Sequence, residues 1–115
     1  NIRSAGLYRN WKLRVCAGED MDENIKFDCA VVDVPEPWNL MEKVGKALVR
    51  GGKAAFYVPT YNQFETCLAA FVESGLSSMG AREVLVRDMT TTQGSIRPCF
   101  DMLGHTGFIL FAGKR

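Results

Sequence analysis

The run Cys29-Ala30-Val31-Val32, closed by Asp33-Val34-Pro35-Glu36-Pro37-Trp38, constrains this chain more than any other stretch. Apolar residues in succession, without alternation, predict a strand buried on both faces, as in a parallel sheet, here over about residues 28–34. Such a strand delivers the residues after it to the carboxyl edge of the sheet, where open α/β sheets bind ligands. A carboxylate comes first, then two prolines, then a tryptophan that opens a helical pattern. Each proline fixes φ at about −65° and removes a backbone donor, so Asp33 sits on a stiff turn. Two readings of Asp33 stand side by side. It is a functional carboxylate at a ligand edge, or a strand-ending residue whose oxygens accept backbone N–H bonds in the turn.

On the amino-terminal side, Trp11-Lys12-Leu13-Arg14-Val15-Cys16 alternates apolar and charged residues and predicts a half-buried strand. An acidic, glycine-led loop runs from Gly18 to Asn24. Beyond Pro37, a residue suited to the first helical position, Leu40, Val44, Ala47 and Leu48 recur at helical spacing to about Val49. Gly51-Gly52 is the expected stop. Lys53-Ala54-Ala55-Phe56-Tyr57-Val58 reads as a second apolar strand, ended by Pro59. Thr60 and Gln63 have the Thr-x-x-Gln spacing of a capping box. They open a helix whose stripe Phe64, Cys67, Leu68, Phe71 and Val72 is core packing, up to Gly75. Ala81 to Arg87 predicts another strand, residues 88–104 a polar, turn-rich loop, and Phe108-Ile109-Leu110-Phe111-Ala112 the last strand. A loop of that length in a small domain is usually functional or disordered. The order of elements predicts an α/β domain with a hairpin-like pair at its end.

Composition narrows the classes further. The 115 residues suffice for one domain with one ordinary core, and 47% hydrophobic against 23% charged residues is a folding composition. Lysine plus arginine number 14 against 13 acidic residues, so net charge offers no evidence for nucleic-acid binding. No apolar run approaches the roughly 20 residues of a membrane-spanning helix, and the first residues lack a signal-peptide core. Cys16, Cys29, Cys67 and Cys99 form no Cys-x-x-Cys pair and have no histidine cluster beside them. They are expected as buried thiols in a reducing, cytoplasmic compartment, with no metal site. The chain begins without methionine, and Ala5-Gly6-Leu7 fits the end of a helix. That start predicts a domain whose preceding strands are missing.

Four segments together resemble the second half of a class I S-adenosylmethionine (SAM)-dependent methyltransferase, and more narrowly the tRNA (adenine-N1)-methyltransferases that modify an adenosine of the T loop. They are Val31-Val32-Asp33-Val34-Pro35-Glu36-Pro37-Trp38; Ala47 to Lys53, with Phe56-Tyr57-Val58-Pro59 and Asn62-Gln63 beyond it; Arg97-Pro98; and Gly104-His105-Thr106-Gly107-Phe108. Each is weak alone. In this order and spacing, across about residues 12–114, they are fairly specific. The resemblance implies a Rossmann-like sheet, mostly parallel with an antiparallel last strand and helices packed on it. It implies SAM as cofactor, tRNA as partner and a homotetramer. The family's glycine-rich turn and the acidic residue that ends its second strand have no counterpart in residues 1–115. The expectation is therefore the C-terminal part of a catalytic domain, which by itself binds cofactor poorly.

The resemblance also distributes roles. Methylation of adenine N1 places positive charge on the ring, and a carboxylate accepting from the 6-amino group would orient the base and stabilise that charge. Asp33 takes that catalytic role, and lies against the cofactor as well. Asp20, with Met21 behind it, matches the position that accepts from the cofactor's adenine, although Glu19, Asp22 and Glu23 are equally placed as solvated loop charges. Pro35, Gln63, Arg97 and His105 fall on the substrate side. For Gln63 the helix cap is a sufficient explanation, for Arg97 pairing with Asp88 or Asp101, and for His105 an ordinary structural hydrogen bond. Trp38, Tyr57 and Tyr61 can stack on a base or pack against the sheet. Two other functions fit the same residues: a Rossmann-like methyltransferase with another substrate, and a non-catalytic RNA-binding or assembly subunit.

Overall fold

Alternation along residues 48–58 builds the middle of the sheet. Leu48, Gly52, Ala54, Phe56 and Val58 are buried, while Lys53 is exposed and Ala55 and Tyr57 are half-buried. A computed structural model of the protein describes residues 4, 6, 8–22 and 24–115. Its strands are β1 (Phe27–Val32), β2 (Leu48–Val58), β3 (Leu76–Glu83), β4 (Met89–Thr90), β5 (Arg97–Pro98) and β6 (Phe108–Lys114). Its helices are α1 (Met41–Ala47), preceded by a 3-10 turn at Pro37–Leu40, and α2 (Tyr61–Glu73). Four strands form one sheet in the order β1-β2-β6-β3. β1 pairs with β2 in parallel, and β6 runs antiparallel to both of its neighbours. Thus β1, β2 and β3 point one way and the last strand points back, which is the predicted α/β architecture.

Both helices pack on one face of this sheet. Met41 and Val44 of α1 and Cys67 and Phe71 of α2 bury themselves against Phe56, Leu110 and Ala112. The rings of Phe56 and Phe71 meet at 5.3 Å with a 57° tilt, the offset geometry that aromatic quadrupoles favour. Trp38 also packs against this core. The carboxyl ends of the parallel strands therefore share one edge with the start of β6.

Several boundaries differ from expectation. β1 stops at Val32 because Asp33 and Val34 lead into Pro35, which cannot donate to a ladder. β1 is also not buried on both faces. Among the described residues it is the border strand of the sheet, and Asp28, Cys29 and Val31 are exposed, Val31 at 83%. Residues 11–16 form no strand, and Val15 is 92% exposed. Alternation makes a strand only where a neighbouring ladder takes up the backbone groups, and none lies beside this segment among the described residues. α1 ends at Ala47, before the glycine pair, and Leu48 and Val49 already belong to β2. Gly51, at φ 79°, is absorbed within the strand: Phe27 faces Leu48 but Cys29 faces Lys53, so the intervening β2 residues bulge out of register.

The apolar stripe of α2 is narrower than predicted, with Cys67 and Phe71 buried, Phe64 half-buried, and Leu68 and Val72 facing solvent. β3 starts at Leu76, directly after Gly75 at φ 71°, and ends at Glu83. Val84, Leu85 and Val86, expected in that strand, lie beyond it and are exposed. Residues 88–104 are not a featureless loop. β4 and β5 pair there as a small hairpin in which the Thr90 hydroxyl reaches the Ser95 carbonyl at 2.8 Å. Only Cys67 is a buried thiol, and burial pushes its pKa up to about 11; Cys16 and Cys29 are exposed and Cys99 is partly so. Ala5 and Leu7, around the helix end read at Gly6, lie outside the described residues. No helix of the described residues is long and apolar enough to cross a membrane.

Candidate active site at the carboxyl edge of the sheet

The register fixes which residues meet at the edge. Val32 pairs with Phe56, while Val58 and Glu83 both pair with Phe108. Asp33, Pro59-Thr60 and His105-Thr106-Gly107 therefore rim the same side of the sheet. Asp33 is exposed, and among the described residues no hydrogen bond ties its carboxylate to the turn. Its side chain is not used as a cap.

The turn after Asp33 is held by other means. Pro37 is buried at the start of the 3-10 turn, and the Asn39 amide donates to the Glu36 carbonyl at 3.2 Å. From across the edge, the Gln63 side-chain nitrogen donates to the Pro35 carbonyl at 3.0 Å. Thr60 caps α2 as predicted, its hydroxyl accepting the Gln63 backbone N–H at 3.3 Å, but the other half of the capping box, from the Thr60 backbone N–H to the Gln63 side chain, is not seen among the described residues. The Thr60 hydroxyl in turn donates to Gln63 Oε1 at 2.8 Å.

Beside β1 lies a cavity of about 490 Å³, within the size range of small-molecule sites. Gly18, Met21, Val31, Asp33, Leu40 and Lys43 are among its lining residues. Its wall is mostly apolar, with Asp33 at the strand end. Gly18 and Met21, which flank the rest of the 3-10 turn Gly18–Asp20, contribute to its wall, and the Lys43 ammonium pins that turn by donating to the carbonyls of Glu19 and, at 3.2 Å, Met21. A Cβ on Gly18 would come within 2.6 Å of the Leu40 side-chain end, so the glycine lets this turn pack closely on the 3-10 turn before α1. Met21 and Asp33 thus share one cavity, with Asp20 next to Met21 but outside the lining. An apolar slot of this size, with the Asp33 carboxylate among its lining, suits a flat heteroaromatic ring that carries a hydrogen-bond donor. An adenine-bearing cofactor such as SAM fits that description.

His105 stands at the other end of the edge. Its Nδ1 lies 3.2 Å from Glu83 Oε1, and its Nε2 contacts the Pro59 carbonyl. These two acceptors, the Pro59 carbonyl foremost, raise its pKa above the ordinary histidine value. Its ring packs 5.2 Å from Phe108, which also receives Tyr61 at 4.7 Å and the edge of Phe64 at 5.5 Å. The Tyr57 hydroxyl donates to the Thr106 carbonyl at 2.6 Å. Arg97 lies apart in the β4–β5 hairpin, its guanidinium 4.3 Å from the Phe100 ring. No ion pair of Arg97 with Asp88 or Asp101 is seen among the described residues.

The edge thus gathers Asp33, Pro35 and Gln63 into one bonded unit, Met21 and Asp33 around one cavity, and His105 on the far rim. Three contributors escaped the sequence. Gly18 was visible only as the head of an acidic loop, and Lys43 and Glu83 looked like ordinary surface charges. Their partners lie more than twenty positions away, beyond any local spacing.

No family model matches the chain. The tRNA (adenine(57)-N(1)/adenine(58)-N(1))-methyltransferase TrmI of Methanocaldococcus jannaschii is 33% identical to it over 95 residues, 82% of this chain. The chain spans 33% of the length of that relative. A SAM-dependent O-methyltransferase from Thermotoga maritima superposes on 99% of the chain with a TM-score of 0.87 and 31% identity, over 43% of its own length. The tRNA (m1A58) methyltransferase TrmI of Aquifex aeolicus covers 84% of the chain with a TM-score of 0.76 and 33% identity, over 39% of its own length.

Proposed function

We propose, from the premise that this chain is related to the tRNA (adenine-N1)-methyltransferases and has their Rossmann-like fold, that it forms the C-terminal part of such a catalytic domain. The transfer would move a methyl group from SAM to N1 of an adenosine in tRNA, in the T loop by analogy with its relatives. The observation that carries this reading is the free Asp33 carboxylate on a proline-locked turn, at the mouth of an apolar cavity.

SAM, when bound, would supply an electrophilic methyl group carried on a sulfonium, with the thioether as its leaving group. The chain's residues orient and stabilise. The wall around Met21 and the turn at Asp20 would hold the cofactor's adenine, with Asp20 as acceptor for its amine. Asp33 would accept a hydrogen bond from the 6-amino group of the target base, fixing N1 in line and offsetting the charge that grows on the ring. Pro35 and Gln63 would border the base, with Arg97 and His105 on the side toward the RNA backbone. A near-zero net charge leaves tRNA affinity to local potential and to further subunits, in keeping with a tetrameric assembly. The free cysteines suit a reducing cytoplasm.

Asp33→Asn in the SAM-binding enzyme tests this directly. Loss of the charge-assisted acceptor should lower turnover roughly a hundredfold or more, with SAM affinity nearly unchanged. Unchanged turnover refutes the role. The close superposition on an O-methyltransferase favours one second reading, the same cofactor chemistry with an oxygen acceptor. Nucleoside mass analysis after reaction with tRNA separates the two, since only the first yields 1-methyladenosine.

A further inference from the structure

We propose that Gln63 acts as a positioning residue, a clasp that holds the Asp33 turn from the start of α2; its effect on turnover rests on the proposed role of Asp33. The turn's own bonds begin only at Glu36. Pro35 and Pro37 lack N–H groups, and the nearest donors from within it, the Asn39 backbone and side-chain amides, reach Glu36 and not Pro35. The Pro35 carbonyl, two residues beyond Asp33, receives its donor from another element, the Gln63 side-chain amide at 3.0 Å.

The orientation of that amide is set by its neighbours. The Thr60 hydroxyl accepts the Gln63 backbone N–H at 3.3 Å, so its single proton is directed to Gln63 Oε1 at 2.8 Å. With the oxygen end of the amide engaged, the NH₂ end faces Pro35. A capping box needs only an acceptor at this third helical position, and Glu serves there as well as Gln. The Thr60 hydroxyl therefore accounts for Oε1 but leaves the amide nitrogen unexplained. That nitrogen is what reaches the carboxylate-bearing turn.

The difference between cap and clasp gives the test. Gln63→Glu keeps the acceptor for Thr60 and places a negative charge at a helix N-terminus, where it is favourable. It also turns an oxygen toward the Pro35 carbonyl, so the clasp is lost and the cap retained. The expected result is an unchanged or raised Tm, amides of residues 38–39 exchanging about fivefold faster, and a kcat reduced roughly ten- to a hundredfold with KM for SAM unchanged. Gln63→Met, which removes both ends of the amide, should show the same exchange and rate changes with a lowered Tm. Unaltered exchange in Gln63→Glu overturns the clasp. Faster exchange with unaltered kcat overturns the positioning role. If Asp33→Asn itself leaves methylation intact, the functional reading fails, and the exchange result still decides the clasp.

Discussion

Phe71→Ala should be the most damaging single truncation on α2, and the structure gives its size. The ring is 1% exposed and lies 5.3 Å from that of Phe56, itself wholly buried on the central strand. Removing a buried phenylalanine side chain costs about 3–5 kcal/mol through lost transfer energy and the cavity left behind. The aromatic pair accounts for about 0.5–1.5 kcal/mol of its own. The cavity cannot collapse easily, because Phe56 and Leu110 are fixed by strand pairing on both sides. Against a total stability of about 5–15 kcal/mol, such a loss is a large fraction. Urea unfolding followed by tryptophan fluorescence measures it, since Trp38 packs on the same core. The midpoint should fall with m unchanged, and Phe71→Leu should lose about 2 kcal/mol, the equivalent of two to three methylenes. A loss below about 1 kcal/mol for the alanine variant would refute the claim that α2 is anchored through this residue.

Three further outcomes are expected. His105 has a raised pKa in the fold, so its bonds to the Pro59 carbonyl and Glu83 contribute fully below its ordinary titration range and fade as pH rises through the raised value. The Tm difference between the protein and His105→Gln should accordingly shrink from about pH 6 toward alkaline pH, and a difference that grows would contradict this. Gly107→Ala would set a Cβ 2.4 Å from the Tyr57 ring, displacing the tyrosine from the Thr106 carbonyl at a cost of about 1–3 kcal/mol, read by thermal unfolding. A thiol reagent should label Cys16 and Cys29 rapidly in the native protein and Cys67 only on unfolding, which mass spectrometry of labelled peptides resolves.

What could be read in the sequence was what depends on near neighbours. The Thr60–Gln63 cap, the strand through Lys53–Val58 and the last strand from Phe108 each rest on spacings within one element, and each was found there. The boundaries that moved depend on distant partners. Leu48 and Val49 continue a helical pattern, yet both belong to β2, where Leu48 pairs with Phe27 of β1. Leu76 starts β3 because β6 lies beside it, while the polar Ser77 and Ser78 mask that strand in the sequence. Trp11–Cys16 had the right alternation and no ladder to join. For the site, the stiffness of the Asp33 turn was visible in its two prolines. Its tether to Gln63, the closeness of Gly18 to Leu40 and the bracing of His105 by Glu83 were not, because each joins elements far apart in the chain.

The border position of β1 has a practical consequence for anyone handling the polypeptide. Among the described residues no strand pairs with the outer flank of Phe27–Val32, and the exposed side chains of that strand are Asp28, Cys29 and Val31, a single charge among them. Such a flank is a template for another extended segment, including the same one from a second molecule. Residues 1–115 on their own should therefore associate through this strip in concentrated solution, and Val31→Lys should reduce that association while altering the cavity that Val31 lines.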